Sequence, residues 1–166
     1  GIGIGDNVLQ KLGNHDLAKG IKNAGQNLTS MNVYDDKGEL LTSAKLKEDT
    51  LNVTLPRQTL IKLIQSYVQP DTIFTDYQVT KVDNEESQVM VHFSNHASQS
   101  FDMCIGADGI HSAVRQTVQP EAKILYQGYT CFRGLVDEAD LKHSDSANEY
   151  WGQRGRVGIV PMINNQ

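Results

Sequence analysis

The sequence predicts a mixed α/β fold in which an α/β layer is interrupted by β-rich excursions. Segments with apolar residues at helical spacing alternate with short β-favouring runs along the 166 residues. The strands come as hairpins and meanders between the helices, so they do not form one regular series of βαβ units. We therefore expect two intertwined domains. The first comprises residues 1–26 and about 53–120, and the second comprises residues 27–52 and 121–166.

The first half of the chain predicts two short helices and a hairpin. "DNVLQKLG" has Asp6 or Asn7 as an N-cap and Gly13 as a C-terminal glycine, and "NHDLAKGIKNAG" ends in the same way at Gly25. In "LTSMNVYDDKGELLTS" two β-favouring runs flank a turn in which Gly38 supplies the positive φ of a short loop.

The second half predicts one strong helix followed by strands. "LPRQTLIKLIQSYV" has Pro56 at its start and a wide apolar stripe, so we expect this helix to be largely buried. Partial period-2 alternation then predicts a β-meander in three segments, followed by two further strands. The meander segments are "TIFTDYQVTKVDN", "SQVMVHFSN" and "SFDMCIG", and the further strands are "YQGYTCFRGLVD" and "YWGQRGRVGIVPMI".

Composition narrows the class of function. The formal charge is −5, with 20 acidic and 15 basic residues, and no basic tract favours nucleic acid or an anionic membrane surface. No apolar run approaches the roughly 20 residues of a membrane span, and no secretory signal begins the chain, so we expect a cytoplasmic protein. Cys104 and Cys131 belong to no metal-binding pattern, and we expect both to be reduced and buried.

The stretch "FDMCIGADGIHSAVR" is the main candidate site. Its apolar strand should stop at Gly106, and a helix should begin near His111 or Ser112, with Ser112 as a fair N-cap. Ligands of open α/β sheets bind where such strands end and a helix begins, which would place the Asp108 carboxylate to accept from a sugar or ribityl hydroxyl. A structural alternative stays open, in which the glycines only permit a tight turn and Asp108 caps the helix.

Two other features have both a functional and a structural interpretation. Arg57 at a helix start opposes the helix dipole, which would suit a phosphate-like anion, although a solvated surface arginine is the simpler explanation. Tyr150, Trp151 and "YQGYTCFRG" could line an apolar pocket or pack in a core. Ser112 is in no GxSxG elbow, and the sequence predicts neither a catalytic nucleophile nor a metal site.

Five segments in this order resemble the FAD-dependent aromatic-ring monooxygenases related to para-hydroxybenzoate hydroxylase. The most specific is "GADGIHSAVR", which is similar to the family's G-A-D-G-x-x-S-x-V-R motif. The resemblance covers essentially the whole chain and implies a partial Rossmann-like FAD- and NAD(P)H-binding domain intertwined with a β-rich substrate domain. The five segments are "GIGIGDNVLQKLG", "LPRQTLIKLI", "CIGADGIHSAVR", "YTCFRGLV" and "YWGQRGRVGIVPM".

The resemblance implies a monooxygenase in which NAD(P)H reduces bound FAD and a C4a-hydroperoxyflavin hydroxylates an aromatic or similar small apolar substrate with dioxygen. The flavin carries the chemistry, and no catalytic side chain is implied. The same resemblance implies a role for seven residues. Arg57, Asp108, Gly109, Val79 and Arg115 would lie at the cofactor, and Ile4 and Arg133 would lie towards the flavin ring and substrate.

The family's G-x-G-x-x-G fingerprint, its ribose-binding carboxylate and its later Gly-Asp motif have no counterpart in this sequence. We therefore expect the chain to be an internal fragment that binds FAD weakly or not at all by itself. Two alternatives stay open, with the oligomeric state undetermined. One is a flavoprotein of the same fold that epoxidises or hydroxylates an isoprenoid, polycyclic or antibiotic substrate, and the other is a non-catalytic binding module.

Overall fold

The chain divides into two compact units in a computed structural model, which has the mixed α/β fold that the sequence predicts. Residues 1–69 and 132–166 form the first unit, and residues 70–131 form the second. The two domains expected from the sequence have other boundaries and stay a prediction. The structure describes residues 1–13, 15–47, 50–136 and 145–163.

A small antiparallel sheet and three helices form the core of the first unit. The sheet has the order β1-β5-β2, with the wholly buried strand β5 in its centre. The side chains of Leu9, Ile21 and Val53 pack together where the helices cover this sheet. The strands are β1 (Ile2–Ile4), β2 (Gln26–Asn27) and β5 (Val53–Leu55), and the helices are α1 (Asp6–Leu12), α2 (Asp16–Ala24) and α3 (Arg57–Gln65).

The helix ends follow the local signals in the sequence. Gly13 ends α1 with φ at 58°, and Gly25 follows the last residue of α2, as predicted. The N-cap of α1 is Gly5 instead of Asp6 or Asn7, because Asp6 is already helical. The Asp6 carboxylate accepts hydrogen bonds from Gln10 and from the backbone N–H of Leu51.

The expectation that the α3 segment is largely buried is wrong. Leu60 and Leu63 pack against the core, but Ile61 and Ile64 are 42% and 43% exposed. The apolar stripe extends further around the helix than the core reaches, so only one side of the stripe is covered. The helix also ends at Gln65, before the last apolar positions of the predicted segment.

A second sheet of the first unit joins the predicted hairpin to the C-terminal strands. Its order is β10-β9-β3-β4, with β3 and β9 parallel and the other pairs antiparallel. Gly38 takes φ of 85° in the hairpin turn, as predicted. The segment "YWGQRGRVGIVPMI" is not one strand, since it contains the end of β9, a turn and β10. The strands are β3 (Ser30–Asp35), β4 (Leu40–Lys45), β9 (Ser146–Gly152) and β10 (Gly155–Ile159).

The second unit is an antiparallel β-meander with one short helix, which confirms the predicted meander. Val82 and Val91 face each other in the register and are both buried. The Thr117 hydroxyl on the helix donates a hydrogen bond of 2.7 Å to the Val82 carbonyl and so attaches the helix to the sheet. The strands are β6 (Val79–Asn84), β7 (Val89–Phe93) and β8 (Gln99–Phe101), and the helix is α4 (Ala113–Val118).

Two strand predictions in this region are wrong. Strand β8 ends at Phe101, so the strand expected to continue to Gly106 does not form, and Met103 and Ile105 are 73% and 83% exposed. Residues 126–136 of the segment "YQGYTCFRGLVD" form no strand, and Asp137 lies outside the described residues. An apolar run becomes a strand only when its backbone hydrogen bonds are made with another strand, and no described strand pairs with residues 102–106 or 126–136.

The prediction that both cysteines are buried is also wrong. Cys104 is half-buried and Cys131 is exposed, and neither forms a disulfide. Among the described residues, every helix is too short and too polar to cross a bilayer.

Candidate functional site

The turn of residues 106–112 and the helix α4 that follows it bring together three predicted site residues, Asp108, Gly109 and Arg115. Ser112 is the N-cap of α4, so the helix begins where the sequence predicted. Gly109 has φ of 81°, and a Cβ added at this position would meet open space. At Gly106, an added Cβ would lie 2.7 Å from Val114 Cβ, so this glycine lets the incoming chain pack against the helix.

The Asp108 carboxylate points back to the start of α4. Its Oδ1 accepts a hydrogen bond from the Ser112 hydroxyl, and its Oδ2 accepts from the backbone N–H of Ala113 at 2.7 Å and of Val114 at 3.4 Å. The Ser112 oxygen in turn accepts from the Arg115 N–H at 2.9 Å. The first N–H groups of α4 therefore find acceptors within the turn, as the structural alternative for Asp108 expects.

These hydrogen bonds favour the ionised form of Asp108. The bond from the Ser112 hydroxyl is the largest contribution and holds the pKa of Asp108 below its usual value, while partial desolvation raises it. The N–H groups of Ala113 and Val114 lower the pKa further. Asp108 is therefore an exposed carboxylate that keeps its negative charge near neutral pH.

Arg115 closes the turn from the other side. One guanidinium nitrogen donates to the Gly109 carbonyl at 3.4 Å, and another donates to the Ile110 carbonyl. The two carbonyls precede the helix, so the arginine ties the loop to α4.

The first unit contains an open cavity of about 250 Å³ beside the start of α3. Arg57, the first residue of that helix, lines it together with Arg133. The first turn of α3 carries no acidic residue, so the helix dipole and two guanidinium groups give this place a positive potential. The remaining lining residues are Gly1, Pro56, Gln58, Gly134 and Leu135.

The other two predicted residues lie in strands. Ile4 is half-buried at the end of β1, pairs with Val53 and packs on the core of the first unit. Val79 is half-buried at the start of β6 and pairs with Phe93 in the second unit. The structure thus groups Arg57 with Arg133, and Asp108 with Gly109 and Arg115. The ligand roles of all seven residues stay predictions.

Sequence reasoning missed Ser112 as a site residue. It considered Ser112 only as a helix cap and as a nucleophile, although Ser112 is the side chain that contacts Asp108 most directly. The signal was present, because the serine stands four positions after the aspartate in the quoted motif. The cavity residue Gln58 had no comparable signal, since its place in the same cavity as Arg133 depends on the tertiary fold.

A second carboxylate of the second unit, Asp83, lies in a surface cluster on the meander. The Lys81 ammonium is 2.7 Å away and is the largest cause of a lowered Asp83 pKa, with desolvation raising it. The His92 Nε2 lies 2.9 Å from Asp83 and lowers the pKa as well, and its Nδ1 lies 2.8 Å from the Ser98 hydroxyl.

Comparison with known proteins finds similarity along the whole chain, although no family model matches it. The chain is 25% identical to an aurachin C monooxygenase/isomerase of Stigmatella aurantiaca, an alignment that covers 100% of this chain and 45% of that protein. It is 27% identical to a 2-heptyl-3-hydroxy-4(1H)-quinolone synthase of Pseudomonas aeruginosa, over 98% of this chain and 43% of the synthase. The chain thus spans less than half the length of these curated relatives.

Solved structures agree on the fold. The structure of Klebsiella pneumoniae HpxO complexed with FAD and uric acid matches with a TM-score of 0.74 and 24% identity. The match covers 99% of this chain and 44% of the HpxO chain. The fold class predicted from the sequence is confirmed by this likeness.

Proposed function

We propose that this chain, which is a relative of the FAD-dependent monooxygenases and shares their fold, belongs to a flavoprotein that hydroxylates an aromatic substrate with NAD(P)H and dioxygen. The observation that carries the proposal is the similarity over the whole chain to an aurachin C monooxygenase/isomerase. The fold alone would not suffice, since one fold supports many activities.

The residues present fit an FAD molecule by their chemistry. The cavity of the first unit offers the Arg57 guanidinium at a helix N-terminus without acidic residues, a donor set that suits a diphosphate. The turn of the second unit offers a glycine with open space in front of it. A counter-charge suits a diphosphate, and a glycine lets a ligand approach the backbone closely.

In the proposed enzyme, the predicted site residues bind or orient the cofactors and the substrate. Arg57 holds the ribityl-diphosphate part of FAD, and Arg133 and Ile4 lie towards the flavin ring and the substrate. Bound FAD supplies the redox chemistry and the activation of dioxygen. The second unit contributes the turn with Asp108, Gly109 and Arg115, which serves FAD and NAD(P)H, and the backbone of Val79, which serves the adenine.

The proposed substrate is an aromatic ring compound, and a 4-quinolone is the first class to test. The reason is the alignment with 2-heptyl-3-hydroxy-4(1H)-quinolone synthase, which covers nearly the whole chain. A quinolone ring is planar and carries a carbonyl oxygen, which could accept a hydrogen bond from an arginine such as Arg133.

The experiment uses the protein expressed from its complete coding sequence. We expect purified protein to retain a flavin, seen by its visible absorbance after gel filtration. We also expect NADH or NADPH oxidation to accelerate when an alkylquinolone is added, with a hydroxylated product detected by mass spectrometry. A panel of aromatic compounds without any effect on NAD(P)H oxidation would contradict the proposed activity. Retained flavin with that result would favour one of the two alternatives, a flavoprotein of the same fold that acts on an isoprenoid, polycyclic or antibiotic substrate, or a non-catalytic binding module.

A further inference from the structure

The β-meander of the second unit brings together an aspartate, a histidine and a serine on its surface. Asp83 lies on β6, His92 lies opposite Lys81 on β7, and Ser98 directly precedes β8. The His92 Nδ1 lies 2.8 Å from the Ser98 hydroxyl, and the His92 Nε2 lies 2.9 Å from Asp83 Oδ2. The imidazole therefore connects a hydroxyl to a carboxylate through its two ring nitrogens.

The carboxylate determines which nitrogen of the ring carries the proton. The Lys81 ammonium lies 2.7 Å from the Asp83 carboxylate and favours its ionised form, which can only accept hydrogen bonds. In the neutral imidazole the proton is therefore on Nε2, and the electron pair of Nδ1 accepts the Ser98 hydroxyl proton. A hydroxyl that donates to a base, with the base oriented by a third group, is the arrangement of an activated nucleophile.

The serine is accessible, while the base is held in place. Ser98 lies in the exposed turn between β7 and β8, and His92 is half-buried. The Thr80 hydroxyl donates a hydrogen bond of 3.2 Å to the His92 carbonyl, in addition to the pairing of the strands. Lys81 and Asp83 also line an open cavity of about 320 Å³, which gives a substrate room beside the carboxylate.

We propose that Ser98, His92 and Asp83 form a hydrolytic site for activated acyl esters such as aryl esters, separate from the proposed flavin activity. Ser98 Oγ and His92 are its catalytic residues. Asp83 is a positioning residue, which fixes the proton on Nε2 and stabilises the imidazolium that forms.

The reaction proceeds through an acyl-serine. The Ser98 Oγ bonds to the acyl carbon while its proton passes to His92 Nδ1, and the phenolate leaves with the electron pair of the broken ester bond. The phenolate then takes the proton from His92. Water next attacks the acyl-serine and gives a proton to His92, which returns it to the Ser98 oxygen as the carboxylic acid leaves. The net reaction consumes one ester and one water, and it yields one acid and one phenol.

The test treats the full protein with p-nitrophenyl acetate and follows the acetylation of each serine by peptide mass spectrometry. We expect Ser98 to be acetylated about 100-fold faster than Ser100, the gain typical of a general base. Ser100 is the matched comparison, because it is also exposed but donates to the Gln88 amide, which is not a base. Ser98→Ala should abolish the repeated release of p-nitrophenolate, and Ser100→Ala should leave it unchanged.

Two further sets of variants test the base and the positioning residue. His92→Ala should slow the acetylation of Ser98 about 100-fold, and added imidazole should restore part of the rate. Asp83→Asn should slow it as well, and Asp83→Glu should recover part of that loss. Rescue by imidazole excludes a folding artefact, because a general loss of structure would not be reversed by a small base.

Equal acetylation of Ser98 and Ser100 would overturn the proposal. A His92→Ala protein that is acetylated as fast as the unmodified protein would also overturn it. Acetylation of Ser98 without repeated release of p-nitrophenolate would contradict the hydrolytic step. None of these outcomes involves bound flavin, so they leave the proposed monooxygenase activity untouched.

Discussion

The turn of residues 106–115 is held together by groups at most six positions apart, whereas the cavity beside α3 joins two distant segments of the chain. In the turn, the side chains of Asp108, Ser112 and Arg115 all form hydrogen bonds to other groups of the same segment. The cavity leaves Arg57 and Arg133 at an open surface. Substitutions in the turn should therefore affect folding first, and substitutions in the cavity should affect ligand binding first.

The largest effect should come from adding one methyl group to the turn. Gly106→Ala places a Cβ 2.7 Å from Val114 Cβ, and a β-branched side chain on a helix cannot move aside. We expect a loss of about 1–3 kcal/mol in the free energy of unfolding, measured by urea titration. Gly134→Ala at the cavity is the control, because nothing lies near its Cβ position, and it should cost about 0.5 kcal/mol or less. Equal losses of unfolding free energy in the two variants would show that the turn is no more sensitive to an added methyl group than the cavity.

Charge removal should have its main effect in the cavity. Arg57→Gln and Arg133→Gln should each weaken FAD binding by the full protein about 10-fold, with little change in the unfolding free energy. Arg154→Gln is the matched control, since Arg154 lies in the turn between β9 and β10 and does not line the cavity. Calorimetric titration gives both affinities. An Arg154 variant that loses as much affinity would show that FAD binding depends on the net charge of the protein and not on the cavity.

A smaller effect concerns the acid range. The pKa of Asp108 is lowered in the folded turn, so its ionised form adds stability that is fully present above the usual value of 3.8. That contribution is lost as the pH falls through the lowered pKa. Ser112→Ala should raise the Asp108 pKa towards its usual value, as followed by carboxyl NMR titration. An unchanged Asp108 pKa would show that the Ser112 hydroxyl is not the main cause of the lowered value.

The smallest effect separates the two carboxylates of the second unit. A lysine is the main cause of the lowered pKa of Asp83, whereas a hydroxyl is the main cause for Asp108. High salt should therefore raise the Asp83 pKa more than the Asp108 pKa, because exposed charges are screened. Lys81→Met should raise the Asp83 pKa and leave that of Asp108 unchanged. Both comparisons use the same NMR titration, and an equal response of the two groups would contradict them.

Elements controlled by neighbouring residues could be predicted from the sequence. Gly13 and Gly38 were identified as positive-φ positions, and Ser112 was identified as the cap of α4. Elements that depend on a remote partner could not. The burial expected for Ile61 and Ile64 failed because the core covers only the Leu60 and Leu63 side of α3.

The sequence by itself determined the turn around Asp108, the glycines that end α1 and α2, and the hairpin, because hydrogen bonds over a few positions depend only on residue type and spacing. The tertiary structure decided that Arg57 and Arg133 line one cavity and that strand β8 stops at Phe101. Both outcomes depend on which distant segment lies opposite. Local spacing carries no information about that neighbour, since packing and strand pairing are settled only when the chain folds.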